Sequence, residues 1–310
     1  MLTRSRFWVK GTTCKLGDVN RGGRSLRGLT PVPAGRSCLG DMGNFVSRHI
    51  KGHCPGAVAN IAVSAQLKVF PSAFYRRRAR IHRSLGRPSS VLQGPFRGMK
   101  YVPNSADKAY LPRIIGTYEV EVYPAVERIC EADPDVIVVA GAGEGYFAVG
   151  LALRVPRARV VAYESFSWAA YLLRRMVALN AVDRQVETRG FCSPAVLRRD
   201  LESVRRPAVV CDVEGYESDL LNPAAIPCLE RAHILVEVHE QVVPGIETTL
   251  RDRFGTTHSV EAISMRPRSL DDFPRSVDVS EDDALWAMDE VKFRGVPQSW
   301  LYMVPNEEDG

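Results

Sequence analysis

The first third of the sequence has almost no acidic residues. Residues 1–100 contain 19 lysines and arginines but only two acids, Asp18 and Asp41, whereas the remainder has 12 more acidic than basic residues, in a chain of net charge +5. A basic segment attached to an acidic body indicates a tail, a presequence or a surface for an anionic partner. No recognition motif accompanies the charge, so we do not expect a nucleic-acid partner.

The chain also lacks paired cysteines and long apolar runs. Its seven cysteines are scattered, odd in number and never spaced as Cys-x-x-Cys. This argues against a disulfide framework or a zinc knuckle and favours a reducing, cytoplasmic compartment. No apolar run approaches the roughly 18 residues that a membrane-spanning helix needs, so no membrane span is expected.

The N-terminal part divides into two predicted segments. Residues 1–45 are rich in glycine, arginine and serine without helical or strand periodicity, which predicts a disordered or loosely attached basic leader. Residues 46–132 are expected to contain helices and a short hairpin. The helices are predicted within 60–85 and over 116–132, and the hairpin over 91–103.

Strand and helix patterns alternate through residues 133–305, which indicates a parallel sheet covered by helices on both faces. A further helix is predicted over 281–294, and residues 306–310 form a tail. The predicted strands are 135–140, 158–163, 185–190, 208–212, 233–238, 258–265 and 299–305.

The first of these strands runs into a turn with glycine at every second position. Gly141, Gly143 and Gly145 follow the strand directly, and without side chains there the backbone amides can approach a ligand closely. The second strand ends at Glu164, whose carboxylate can accept both hydroxyls of a ribose. A solvated strand end or a cap of the next helix is the alternative role. Together the turn and the acid predict a nucleotide-like ligand.

The glycine spacing separates two classes of cofactor. A dinucleotide fingerprint needs a small residue at position 146, where this sequence has Tyr146. The Gly-x-Gly-x-Gly spacing of S-adenosyl-L-methionine sites is satisfied instead, and that cofactor has no pyrophosphate to exclude a bulky residue. The sequence therefore favours S-adenosyl-L-methionine, with an NAD-dependent oxidoreductase as the second enzyme class.

Three longer motifs are GAGEGYFAVGLA (141–152), CDVEGYESDLL (211–221) and ILVEVHE (234–240). Through them the sequence resembles the class I S-adenosylmethionine-dependent methyltransferases, and within these the FkbM-like group, over roughly residues 73–305. The resemblance implies a Rossmann-like, seven-stranded, mostly parallel sheet with its last strand antiparallel. It also implies methyl transfer above strands four and five, with O-methylation of a small-molecule or glycan hydroxyl as the expected reaction.

The resemblance also assigns cofactor contacts. By position these are Gly141, Gly143, Gly145, Glu164, Asn180, Cys192, Tyr118 and Glu119. The sequence departs from the family at Val139, where an acid usually helps to hold the methionine end of the cofactor. Glu144 or Glu119 could substitute for that acid. The alternative is a catalytically degenerate protein that keeps the methyltransferase fold for binding or regulation.

Four ionisable residues, Asp212, Glu214, Glu237 and His239, fall at the ends of strands four and five, over the crevice where open α/β sheets bind ligands. Methyl transfer to a hydroxyl requires alignment of the acceptor and removal of its proton. His239 is the candidate base because the intrinsic pKa of a histidine side chain lies near 6.5, with Asp212 or Glu214 orienting it or acting as the base.

Other roles are open for these residues. His239 could merely hydrogen-bond a loop, and Glu217 and Glu240 nearby could be solvated surface residues. Carboxylate oxygens and one imidazole could also hold a metal, but their spacing matches no strong ligand motif. We therefore expect no metal from the sequence.

Overall fold

The computed structural model describes residues 73–106, 108–291, 297 and 299–306. The predicted basic leader, residues 60–72 of the first helical segment and most of the predicted tail lie outside these residues. Within the described part of the chain, no helix is long and apolar enough to cross a membrane.

Seven strands form one sheet in the order β3-β2-β1-β4-β5-β7-β6. They are β1 Val136–Ala140, β2 Arg159–Tyr163, β3 Val186–Arg189, β4 Pro207–Cys211, β5 His233–Glu237, β6 His258–Ser264 and β7 Ser299–Pro305. β7 lies between β5 and β6 and runs antiparallel to both, whereas the other neighbours pair in parallel. The Rossmann-like sheet with its last strand antiparallel is therefore confirmed.

Helices cover both faces of the sheet. They are α1 Ala73–Ser84, α2 Tyr110–Ile115, α3 Tyr123–Glu131, α4 Tyr146–Arg154, α5 Ser167–Leu179, α6 Pro194–Leu201, α7 Glu217–Leu220, α8 Ile246–Phe254 and α9 Glu281–Met288. Side chains alternate along β1, because Ile137 and Val139 join the core that contains α1–α5 and α9, whereas Val136 and Val138 join the core of α6–α8. Two cores thus hold the sheet from opposite sides.

The segment before the sheet differs from the prediction at two places. The two short strands predicted over 91–103 are wrong, but the chain does fold back there: an antiparallel bridge joins Ser90 and Lys100, and the Val91 amide donates to the Met99 carbonyl at 2.9 Å. The continuous helix over 116–132 is also wrong. Gly116 has φ 83° and ends α2, and a Cβ there would lie 2.1 Å from the carbonyl oxygen of Gln93. A short 3₁₀ helix follows over Val120–Val122, and the α-helix begins only at Tyr123.

The carboxyl ends of β1 and β4 lie side by side at the centre of the sheet. The chain leaves β1 to one side for β2 and returns on the other side as β4, so the strand order reverses between them. In open α/β sheets such a switch point opens a crevice at the carboxyl edge. The glycine turn and the residues after β4 both begin there.

Candidate functional site

The ends of β1 and β4 lie so close together that the first position of the turn must be glycine. Gly141 has φ 79°, and a Cβ at this position would lie 1.7 Å from the carbonyl oxygen of Asp212. Its amide donates to the carbonyl of Tyr163 at 3.0 Å. Gly141 is therefore required by backbone packing between three strands, whether or not a ligand binds.

The other two glycines of the turn face different surroundings. Gly145 has φ 101°, and a Cβ there would lie 2.7 Å from Cδ1 of Leu173 on α5, so this glycine also serves packing. Gly143 has φ 55°, and a Cβ there would meet no heavy atom of the described residues within 4 Å. Gly143 therefore borders open space that a ligand could fill.

Glu164 follows β2 and lies against the glycine turn. Its Oε2 accepts a hydrogen bond from the Gly143 amide at 2.8 Å, and its Oε1 accepts one from the Phe166 amide at 2.6 Å. Each carboxylate oxygen can accept more than one hydrogen bond, so a carboxylate that contacts backbone amides can also accept a diol. The sequence analysis anticipated this proximity of the acid and the turn.

A cavity opens between the glycine turn, β4 and the segment before β1. Its lining residues are Arg113, Tyr118, Val139, Ala140, Gly141, Ala142, Gly143, Glu144, Tyr146, Phe147, Val210 and Asp212. The Tyr118 ring is buried beside the turn and packs edge-on against Tyr146, with ring centres 5.2 Å apart. Tyr118 and Val139 both line this cavity, and Val139 contributes an apolar side chain to its wall.

The Glu144 side chain is hydrogen-bonded to residues of the segment before β1. It is buried, and its Oε1 accepts hydrogen bonds from Nη1 of Arg113 at 2.6 Å, the Tyr101 hydroxyl at 2.8 Å and Oγ of Ser105 at 2.6 Å. These partners bind the segment before β1 onto the glycine turn. Because this carboxylate is already occupied by a guanidinium and two hydroxyls, the structure does not favour Glu144 as the substitute for an acid at Val139.

Glu119 lies at a sharp turn before the sheet. It is buried, has a left-handed φ of 52°, and its amide donates to Oε1 of Glu290 at 3.0 Å. It is not among the residues that line the cavity. The predicted contact of Glu119 with a cofactor therefore has no support from its position.

Two further predicted cofactor contacts lie elsewhere. Asn180 follows the last residue of α5, and because this helix starts at the carboxyl edge of the sheet and has 13 residues, Asn180 is about 20 Å from that edge. Its side chain donates to the carbonyl of Lys100 and accepts from the Lys100 amide, both at 2.8 Å. The structure therefore does not bring Asn180 to the crevice.

In the loop after β3, the predicted residue Cys192 is buried, whereas its neighbour Phe191 is exposed. Cys192 is buried in the α6–α8 core, and burial raises the pKa of its thiol to about 12. Phe191 is 61% exposed and packs against Tyr216, with ring centres 5.4 Å apart. Phe191, which no sequence motif marks, is therefore the large exposed side chain of this loop.

The four predicted catalytic residues come together. Nε2 of His239 lies 3.7 Å from Oδ1 of Asp212, 3.8 Å from Oε2 of Glu214 and 3.8 Å from Oε1 of Glu237. Glu237 is the last residue of β5 and is buried, whereas the Glu214 side chain is half exposed. We call Asp212, Glu214, Glu237 and His239 the carboxylate–imidazole cluster.

A buried glutamate outside the four predicted catalytic residues orients this cluster. Glu217 is fully buried at the start of α7, and its Oε1 lies 2.7 Å from Nδ1 of His239. The same oxygen accepts from the Gly215 amide at 3.0 Å. Glu217 is therefore no solvated surface residue. Glu240 is exposed but accepts from the amides of Gly245 and Glu247, at the start of α8.

Burial and the neighbouring carboxylates have opposite effects on the pKa of His239. Burial disfavours the charged imidazole, but the hydrogen bond with Glu217 and the negative charge of Asp212 outweigh it, so the pKa of His239 is raised above its usual value. Contact with Glu217 also fixes the ring, so that Nε2 points at the three other carboxylates.

Comparisons with known proteins give structural similarity alone. No family model matches the sequence, and no curated protein matches it. The chain is similar to a precorrin-6y C5,15-methyltransferase from Geobacter metallireducens, with 14% identity, coverage of 59% of this chain and 89% of that one, and a TM-score of 0.39.

Two O-methyltransferase structures cover more of the chain. The enzyme from Bacillus cereus, solved with SAH, has 10% identity, covers 79% of this chain and 96% of that one, and has a TM-score of 0.38. The Streptomyces achromogenes enzyme of tomaymycin synthesis, solved with SAM, has 14% identity, coverage of 79% and 95%, and a TM-score of 0.39. Similarities at this level do not extend to ligands or activity.

Proposed function

We propose that this protein is an S-adenosyl-L-methionine-dependent methyltransferase of the FkbM-like type. The observation that carries the proposal is the contact between Glu164 and the Gly143 amide, beside a glycine that borders open space. A carboxylate that can accept a diol, in contact with a glycine turn at the carboxyl edge of the sheet, supports the binding of an adenosine-containing cofactor.

In the proposed complex the ribose hydroxyls bind Glu164, and the methionine end lies along the turn at Gly143. Tyr118 packs beside the cofactor from the N-terminal segment. Val139 cannot make the hydrogen bond to the methionine end that an acid at this position would make. The loss of a hydrogen bond to a charged group costs about 1.5–3 kcal/mol. That corresponds to one to two decades in affinity, so we expect micromolar rather than tighter binding.

The proposed acceptor site is the carboxylate–imidazole cluster beside β4 and β5. Transfer to a hydroxyl requires that the oxygen be aligned with the methyl group and lose its proton. Nε2 of His239 points into the cluster and can take that proton, with Glu217 holding the ring. We infer O-methylation of a small-molecule or glycan hydroxyl, in the reducing cytoplasm that the cysteine pattern favours.

A second candidate is a binding or regulatory protein that keeps this fold without catalysis. Val139 favours it, because the described structure does not bring Glu144 or Glu119 into the place of the missing acid. Such a protein would keep the packing glycines Gly141 and Gly145, which the fold needs in any case.

Calorimetric titration of the full chain with S-adenosylhomocysteine and, separately, with NAD distinguishes these functions. We expect micromolar binding of S-adenosylhomocysteine and none of NAD. Binding of neither would favour the non-catalytic candidate, and binding of NAD alone would replace the methyltransferase with an oxidoreductase.

A further inference from the structure

We propose that the carboxylate–imidazole cluster binds one divalent first-row metal ion, with Mn²⁺ as the ion that fits its donors best. Asp212, Glu214 and His239 supply ligand atoms that all lie within 4.8 Å of one another. Glu237 has a buried carboxylate oxygen 3.8 Å from Nε2 of His239 but does not belong to this group of ligand atoms. The proposal concerns a binding property that does not depend on the cofactor.

The spacing of the ligand atoms fits a small cation at their centre. Nε2 of His239 is 3.7–3.8 Å from one oxygen of each of the three carboxylates. Around an ion with bonds near 2.1 Å, neighbouring ligand atoms stand about 3.0–3.4 Å apart. Around an ammonium group, with hydrogen bonds near 2.8 Å, they would stand about 4.6 Å apart. The distances from Nε2 lie closer to the first case and are too long for direct hydrogen bonds, whereas the two carboxylates Asp212 and Glu214 lie within 4.8 Å of each other.

The orientation of His239 is the second observation that points to a ligand. The side chain is only 4% exposed, and its Nδ1 contacts Glu217 at 2.7 Å. Among the described residues Nε2 makes no hydrogen bond, yet it faces three carboxylates. A metal-binding histidine usually donates a hydrogen bond from one ring nitrogen to a carboxylate. This contact fixes the ring so that the other nitrogen faces the metal.

The donor set restricts the choice of ion. Carboxylate oxygens without imidazole suit Mg²⁺ and Ca²⁺, whereas imidazole suits the later transition metals. One imidazole with two carboxylates lies between these preferences, and no thiolate belongs to the cluster. Mn²⁺ accepts both kinds of donor and can be observed directly by electron paramagnetic resonance.

A bound ion would change the role of His239 in the proposed reaction. Nε2 would then be a ligand rather than the base, and the ion would lower the pKa of a coordinated acceptor hydroxyl. The hydroxyl proton would pass to a cluster carboxylate. The oxygen would then form its bond to the methyl carbon as the carbon–sulfur bond breaks, with the electron pair left on sulfur.

The test is a titration of the chelator-treated full chain with Mn²⁺ alone, followed by electron paramagnetic resonance. Glu214→Gln is the main variant, because its side chain is half exposed and its amide has nearly the same shape. Asp219→Asn is the matched control, since Asp219 is exposed on the same short helix as Glu217.

We expect one Mn²⁺ per chain, an affinity at least tenfold weaker in Glu214→Gln, and an affinity within twofold of the original in Asp219→Asn. Pulsed measurements should show coupling to one imidazole nitrogen. Absence of saturable binding, equal affinity in Glu214→Gln, or bound Mn²⁺ without nitrogen coupling would each overturn the proposal. None of these results depends on S-adenosylhomocysteine, so they are separable from failure of the proposed function.

Discussion

Substitution of two glycines in one turn by alanine should have very different consequences. Both Gly141 and Gly143 have positive φ, and a left-handed backbone costs an ordinary residue about 1–2 kcal/mol. At Gly143 that is the whole expected cost, because the new methyl group meets no described atom within 4 Å. Gly143→Ala should therefore fold nearly as well as the original chain.

Gly141→Ala adds a steric overlap to the same backbone cost. Its Cβ would lie 1.7 Å from the Asp212 carbonyl oxygen, which is backbone and cannot rotate away. The ends of β1 and β4 would have to separate, and forced repacking of this kind costs typically 1–3 kcal/mol and occasionally more. We expect Gly141→Ala to be less stable than Gly143→Ala by about 2 kcal/mol or more.

Urea denaturation and thermal unfolding measure this difference, and S-adenosylhomocysteine titration adds a second comparison. For a domain of this size, 2 kcal/mol corresponds to roughly 4–8 °C in Tm. Gly143→Ala should keep its Tm within a few degrees but bind the ligand at least tenfold more weakly, because its methyl group occupies the proposed cofactor space. Equal stability of the two variants would refute the packing argument, and unchanged affinity in Gly143→Ala would refute the position of the ligand.

Three further predictions concern other parts of the site and core. Val139→Asp, if it folds, should bind S-adenosylhomocysteine as well as the original chain or better by calorimetry, and much weaker binding would show that the wall is built around valine. His239→Ala should keep ligand affinity within about threefold but lower turnover about 100-fold once an acceptor is known, and turnover within threefold of the original would exclude His239. Burial lowers the pKa of His258, so the unfolded chain binds its proton first as pH falls below about 6.5, and the free energy of unfolding should decrease by up to about 1.4 kcal/mol per pH unit from this group. His258→Gln should flatten that slope in urea titrations at several pH values, and an unchanged slope would assign it to other groups.

The strands could be predicted because their signals are local. Each predicted strand bound lies within one residue of the observed bound, since short apolar runs between turn residues are typical of a sheet buried on both faces. The same locality places Glu164 and the glycine turn together, because both lie at carboxyl ends of neighbouring parallel strands. The alternation of helices and strands in the sequence is thus enough to predict the fold and to bring the glycine turn and Glu164 to the same edge of the sheet.

Contacts between distant residues could not be predicted in the same way. The hydrogen bond of Glu144 to Arg113 joins residues 31 positions apart, and nothing in the glycine motif marks that acid as buried. Burial of Glu217 likewise depends on its contact with His239, 22 positions away. The predicted contact of Asn180 with the cofactor has no support for a geometric reason, because α5 leads the chain away from the crevice.

The affinity of Glu164→Ala for S-adenosylhomocysteine tests the central claim most directly. The carboxylate contacts the Gly143 amide at 2.8 Å and, in our account, also accepts the ribose hydroxyls. Calorimetry should show binding at least tenfold weaker than in the original chain, because hydrogen bonds to a carboxylate are lost. Glu187→Ala, which removes an exposed carboxylate on β3, is the control and should bind as the original does. Unchanged affinity in a folded Glu164→Ala protein would contradict a cofactor site at the ends of β1 and β2.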